Sequence, residues 1–317
     1  MLKSLLVLLG TVCFFNSALA VERPPQFVLI AFDNCQENQS WKQVSEFLDH
    51  MNSHEAGSVK FTFFLSAVGL LTDQARQNYI DPMGRVGKSN IDFGGNDLSV
   101  VERVQWINKL HVNGNEIASH AVGHFPGSKW TVQQWRHEFD QYENIINNVA
   151  KLNGFSGEKA KQAQLAFHAD DMRGFRAPYL EGGSALNQVL LEHGFSYDTS
   201  DTNQGWEPTT WPKQFKQIVD GKALWNFGLS YLTAPLTTIS EENRTRGLSR
   251  VVGKTKIPAM DFNFCYRQTG GCPQRDPYKE FQHDDVEEML AAYLRQDRKS
   301  TRLNSSHTDI SRMPSSA

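Results

Sequence analysis

The chain has 317 residues and a formal net charge of −3, with 39% of residues hydrophobic and 21% charged. That length suits one large domain or two small ones, and the lack of a basic excess excludes a nucleic-acid footprint. Beyond the first twenty residues no stretch is long and apolar enough for a membrane helix, and the 7 Trp, 8 Tyr and 20 Phe are read by default as core.

The N-terminus has the form of a secretory signal peptide over residues 1–20. Lys3 precedes the apolar run Leu5 to Phe15, and Ala18-Leu19-Ala20 is a small-x-small cleavage site. The mature chain is expected to start near Val21 and to be secreted or periplasmic. Cys13 leaves with the leader, so Cys35, Cys265 and Cys272 remain in a disulfide-permissive setting. Cys265 and Cys272 flank Gly270-Gly271, and a local bridge is the simplest pairing. Cys35 is then free or lacks its partner in this chain.

Phe27 to Phe32 is a continuous apolar run ending at Asp33-Asn34, the pattern of a buried parallel strand with polar residues at its C-terminal end. Ser40 to Gln43 reads as a capping box, with Trp41, Val44, Phe47, Leu48 and Met51 at helical spacing behind it. Val59 to Leu65 predicts a second strand, and Gly84 to Gly95 a plain loop. Ser99 with Glu102 predicts the cap of a helix that runs through Val104 and Ile107 and stops at Asn113-Gly114. Thr131 with Gln134 caps the clearest helix, whose buried stripe is Val132, Trp135, Phe139, Tyr142, Ile146 and Val149. Further on, a helix is expected over Ser184 to His193 and a strand over Phe195 to Asp198. Strand candidates follow at Ala223 to Phe227 and Ile257 to Phe264, then a last helix at Asp285 to Leu294. Strands alternating with helices, without a repeat or linker, predict one α/β domain with a parallel sheet, either a barrel or a doubly wound sheet.

Between the second and third of these helices lies Glu116-Ile117-Ala118-Ser119-His120-Ala121-Val122-Gly123-His124. Two histidines four positions apart, taken as one helical turn, would offer a metal ion two imidazoles from one short segment. The other polar residues at predicted strand ends are Asp33, Asn34, Arg176, Tyr179 and Asp198. In a parallel barrel such ends meet on one face. Two imidazoles, a possible oxygen ligand, a spare carboxylate and an arginine are the inventory of a hydrolytic metal site.

In this combination the chain resembles the polysaccharide deacetylases, the family-four carbohydrate esterases. Ala31-Phe32-Asp33-Asn34, His120 to His124 and Arg176-Ala177-Pro178-Tyr179 follow the family's first three motifs in order, and Tyr197-Asp198-Thr199-Ser200 matches the fourth more loosely. The likeness runs from about Phe27 to Gln296, with features of the chitin-deacetylase branch. It implies a distorted (β/α) barrel and the removal of N-acetyl, less readily O-acetyl, groups from an acetylated polysaccharide or oligosaccharide such as chitin. Asp33 would be the general base, His120, His124 and Asn34 would hold a divalent metal, with zinc the expected ion, and Arg176 would pair with Asp33. Asp198 would orient a general-acid histidine, and the Tyr179 backbone N–H would hold the oxyanion. Tyr179 and Trp206 are the candidates to meet substrate, Trp206 either stacking on a sugar ring or anchoring its Pro-rich loop. A monomer is expected, without nucleic acid and without a membrane span once the leader is removed.

Two departures stand out. Asn34 replaces the family's second aspartate, and a neutral amide is the weaker donor to a divalent ion. No histidine follows a hydrophobic strand after Asp198. Asp297 to His307 also matches, residue for residue, the translation of a common sequencing adapter. Residues 297–317 are therefore expected to be an artefactual or disordered tail, the domain to occupy 21–296 in C-terminally truncated form, and the missing histidine to lie past Gln296. A catalytically impaired glycan-binding protein on the same scaffold is the alternative reading, and a hydrolase of other C–N bonds is a third.

Overall fold

The computed structural model describes residues 29–33, 37–54, 59–201, 212–219, 221–229, 231–235, 254–258 and 260. Asn34, Cys35, Trp206, Cys265, Cys272, the leader, the expected helix at Asp285 to Leu294 and the tail lie outside them.

The parallel strands are β1 (Ala31–Asp33), β2 (Thr62–Leu65), β3 (Glu116–Ser119), β4 (Gly174–Phe175) and β5 (Tyr197–Asp198). Between them lie the helices α1 (Asn38–His54), α2 (Asp97–Val112), α3 (Val132–Asn147), α4 (Val149–Leu152), α5 (Gly157–Gln162) and α6 (Leu186–Glu192). Next come β6 (Lys213–Val219) and β7 (Lys222–Asn226), then β8 (Tyr231–Pro235) and β9 (Lys254–Pro258). The main sheet has seven strands in the order β1-β2-β3-β4-β5-β7-β6, all parallel except β6, which runs antiparallel to β7. β8 and β9 form a separate antiparallel pair.

Sequential strand order with right-handed crossovers sets successive helices on one side of a sheet. Accordingly α1 packs on α2, and α3 on α6. Trp41, Phe63, Ile107, Trp135, Phe139, Phe175 and Leu190 fill the space between the layers, each 1% exposed or less. The α/β class and the parallel sheet match expectation. Barrel closure is not seen among the described residues, where β1 and β6 are the two edges of the sheet. The antiparallel β6 and β8 were not expected. β6 is mostly exposed and rich in Lys and Gln, so it carries no apolar run to betray it.

The cap of α3 is as read: Thr131 and Gln134 form a reciprocal capping box. Two other caps differ. α1 begins at Asn38, before Ser40, because the Asn38 amide is tied to Ser99 O at 3.0 Å and to Glu102 Oε2 at 2.8 Å. α2 is capped by Asn96, whose Oδ1 accepts the Ser99 N–H at 3.0 Å. Glu102 is thereby free to hold α1 rather than close a box with Ser99.

No helix among the described residues is long and apolar enough to cross a membrane.

Candidate active site at the strand ends

The sheet register decides which polar residues share a level. Leu65 pairs with Ser119, Ser119 with Phe175, Phe175 with Asp198, and Asp198 with Asn226. The next residue of each strand continues the ladder. His120 N–H donates to Leu65 O at 2.9 Å, Arg176 N–H to Ser119 O at 3.0 Å, and Thr199 N–H to Phe175 O at 2.9 Å. His120 and Arg176 therefore leave the sheet side by side, at the carboxyl ends where parallel sheets collect their ligands. Asp33 ends β1 on the same side.

Arg176 joins the parts. Its Nη1 donates to Asp33 Oδ1 at 2.7 Å and its Nε to Thr199 Oγ1 at 2.8 Å, while the guanidinium lies 4.3 Å from the Phe64 ring centroid. The side chains of Arg176 and Asp33 are 8% and 22% exposed. A planar fork bonded along two edges and stacked on one face has one available orientation, which a lysine could not reproduce.

The two histidines are brought together, but not by a helical turn. His120 to His124 is an irregular loop with Ala121 and His124 at φ of 59° and 54°. This left-handed backbone, costly for residues with a Cβ, folds the segment back so that the rings meet edge to face at 5.0 Å. His120 Nδ1 lies 2.7 Å from Arg176 O, a pure acceptor, so the proton belongs on Nδ1 and Nε2 keeps its lone pair. His124 Nδ1 is shielded from solvent and has no hydrogen-bond partner. Burial lowers the proton affinity of both rings; His124 falls to about 4, its neighbour His120 adding to the effect. The Asp33 charge opposes this at both imidazoles, which places the carboxylate within electrostatic reach of the pair. Neutral imidazoles with uncommitted nitrogens beside a carboxylate are a donor set that fits a divalent cation.

Asp198 is fully buried, and burial raises its carboxyl to about 6 against the Ser200 hydrogen bonds, which lower it. Ser200 donates both its N–H, at 3.1 Å, and its hydroxyl to Asp198 Oδ1. The same hydroxyl accepts the Ala177 N–H at 2.7 Å. Tyr179 sits in a left-handed turn at φ 57°, 56% exposed, with its ring 4.8 Å from that of His124. Asp33, His120, His124, Arg176, Tyr179 and Asp198 thus belong to one region, whereas Asn34, Trp206 and the two cysteines lie outside the described residues.

The motif reading assigned no work to Thr199 or Ser200, and it missed Asn226. Asn226 is fully buried at the end of β7, accepting from Gly228 N at 2.7 Å and donating to Asp201 Oδ2 at 2.8 Å. Its signal was available: a polar residue closing the run Ala223 to Trp225. Glu138 gave less warning, as a carboxylate within the apolar stripe of α3.

Two other features lie apart. Asp140, Glu143 and His193 bring ligating atoms within 4.8 Å of one another on the α3–α6 surface. An open cavity of about 330 Å³, lined by Asn147, Lys151, Lys161, Gln164 and His168 among others, contains none of the predicted site residues.

No protein-family model matches the chain, and no curated protein matches it significantly. Among solved structures it is similar to a CE4 family pseudoenzyme from Bacillus anthracis, at 11% identity over 56% of this chain and 44% of that one, TM-score 0.33. It is similar to the chitin deacetylase of the fungal pathogen Colletotrichum lindemuthianum, at 16% identity over 54% of each chain, TM-score 0.31. A family 4 carbohydrate esterase from Streptomyces lividans aligns at 17% identity over 55% of this chain and 62% of that one, TM-score 0.29. The chain spans less than half the length of the pseudoenzyme chains it matches.

Proposed function

We propose that the protein is an exported, metal-dependent deacetylase that removes acetyl groups, N-acetyl in the first place, from a glycan of the chitin type. The observation that carries this reading is the continuous chain Asp33–Arg176–His120. One arginine bonds a carboxylate through its side chain and a histidine through its carbonyl, with a second imidazole beside them.

His120 and His124 would hold the ion, with Asn34 offering an amide oxygen. A divalent ion held there supplies Lewis acidity, which acidifies water and polarises an acetyl carbonyl. Asp33, fixed by Arg176, takes the proton of the attacking water as general base. Arg176 holds that carboxylate by a 2.7 Å ion pair and so fixes its orientation. The exposed Tyr179 ring offers a face to a sugar, and its backbone N–H a donor to the developing oxyanion. Asp198, held by Ser200, would orient the group that protonates the leaving amine.

The test is acetate release from chitin oligomers by the full chain with added zinc. Release that disappears in Asp33→Asn supports the proposal. Sugar binding without acetate, in wild type at saturating zinc, favours the second reading, a glycan-binding protein on this scaffold. Asn34 motivates that second reading, because it stands where the resembled family carries a charged ligand.

A further inference from the structure

Glu138 lies in the middle of α3, 0% exposed, on a face otherwise made of Trp135, Phe139, Tyr142, Ile145 and Ile146. A carboxylate is rarely found so deep without partners that satisfy it. Its partners are specific. Oε1 accepts the backbone N–H of Val122 at 2.9 Å and of Gly123 at 3.1 Å, and Oε2 accepts the Tyr79 hydroxyl at 2.8 Å. Val122 and Gly123 are two of the three residues between His120 and His124.

The same loop is gripped from its other side. Ala67 and Val68 donate their N–H to Ala121 O and Val122 O at 3.1 and 3.4 Å, and Asn90 N–H and the Ser89 hydroxyl reach Gly123 O at 2.9 and 3.1 Å. Gly123 has no room for a side chain, since a Cβ there would lie 2.5 Å from Tyr79 Oη and 2.6 Å from Phe125 Cε2. Tyr79, itself 0% exposed, is thus wedged between the loop and the carboxylate. This loop has two residues at positive φ and no regular hydrogen bonding of its own. Isolated, it would relax, and the imidazoles would part.

We propose that Glu138 is a positioning residue for the histidine pair: its carboxylate, braced by Tyr79, clamps the Val122 and Gly123 amides and so sets the spacing of His120 and His124. The inference rests on the reading of those histidines as metal ligands. It assigns the work that a supporting hydrogen bond to a ligand ring usually does to the backbone between the ligands.

Zinc affinity of the full chain, measured by competition with a chelator, tests it. Glu138→Met fills the space but accepts nothing, and is expected to weaken zinc about 10–100-fold, the range typical of lost supporting contacts. Glu138→Gln keeps an oxygen for both amides and is expected to bind zinc much closer to wild type. Leu110→Ala, in α2 at the far end of β3, destabilises the core and is expected to leave zinc within about twofold of the parent. Glu138→Met binding zinc like wild type, or no better and no worse than Glu138→Gln, overturns the proposal. Amide hydrogen exchange on metal-free wild type tests it without a variant. Val122 and Gly123 are expected to be protected, and free exchange at both overturns the clamp. Wild type that does not bind zinc while both amides are protected refutes the metal reading and leaves the clamp standing.

Discussion

The two sides of the strand-end region are held in different ways. On the arginine side the residues are fixed at the sheet's own strand ends. Arg176 bonds Thr199 and Ala177 bonds Ser200 between the ends of β4 and β5, and Ser200 bonds Asp198 within the end of β5. On the histidine side, support comes from outside the sheet, from Glu138 on the face of α3 and Tyr79 ahead of α2. A corner built from adjacent strand ends can be read as a motif. A loop held by a helix face cannot, because its supports have no fixed spacing from the residues they serve.

Breaking the proposed chemistry without disturbing either side should give the largest effect. Asp33→Asn keeps an oxygen facing Arg176 but loses the base, and acetate release is expected to fall ~10²–10⁴-fold with zinc binding retained. On the arginine side, Arg176→Met strands Asp33 beside buried imidazoles. Unfolding free energy in urea should drop by about 3 kcal/mol, with part of the loss recovered in the Arg176→Met, Asp33→Asn double variant.

Asp198 sharpens the comparison through pH. Its carboxyl, near 6 when folded against 3.8 as the ordinary value, binds its proton earlier in the folded chain. The folded state then carries the extra proton between about pH 4 and 6, so this group's stabilisation is present below that window and lost as pH rises through it. Relative to Asp198→Asn, wild type should lose up to ~3 kcal/mol across that range, and parallel pH–stability curves for the two would remove burial as the cause.

The histidine side should also be sensitive to crowding. Gly123→Ala drives a methyl into Tyr79 and Phe125 and should cost about 2 kcal/mol, read as a lower melting temperature. Thr131→Ala removes the cap of the helix that carries Glu138. It should cost only about 1 kcal/mol, with zinc affinity unchanged. A large zinc effect there would mean that the loop senses the whole helix rather than one carboxylate.

Apolar runs ending in Asp33 and Asp198 announced strands with polar ends, and β1 and β5 end where those runs stop. The helical spacing of Trp135, Phe139, Tyr142 and Ile146 announced α3. The pairing of His120 with His124 was legible too, but the assumed helical turn was not, since spacing alone does not distinguish a helix from a loop bent through left-handed backbone. Ser99 looked like a cap because its neighbours fit one; Asn96 took the role, and Glu102 was drawn away by Asn38.

Residue order by itself determined the α/β alternation, the main helix faces and which polar groups stand at the strand ends. These follow from local periodicity and side-chain type. Only the tertiary structure decided that Arg176 bridges Asp33 to His120, that Ser200 meets Ala177 across the strands, and that Glu138 belongs to the histidines rather than to the surface of α3. Those relations depend on strand register and on which helix face meets which loop, and both are set by packing over 15 to 143 positions of sequence separation.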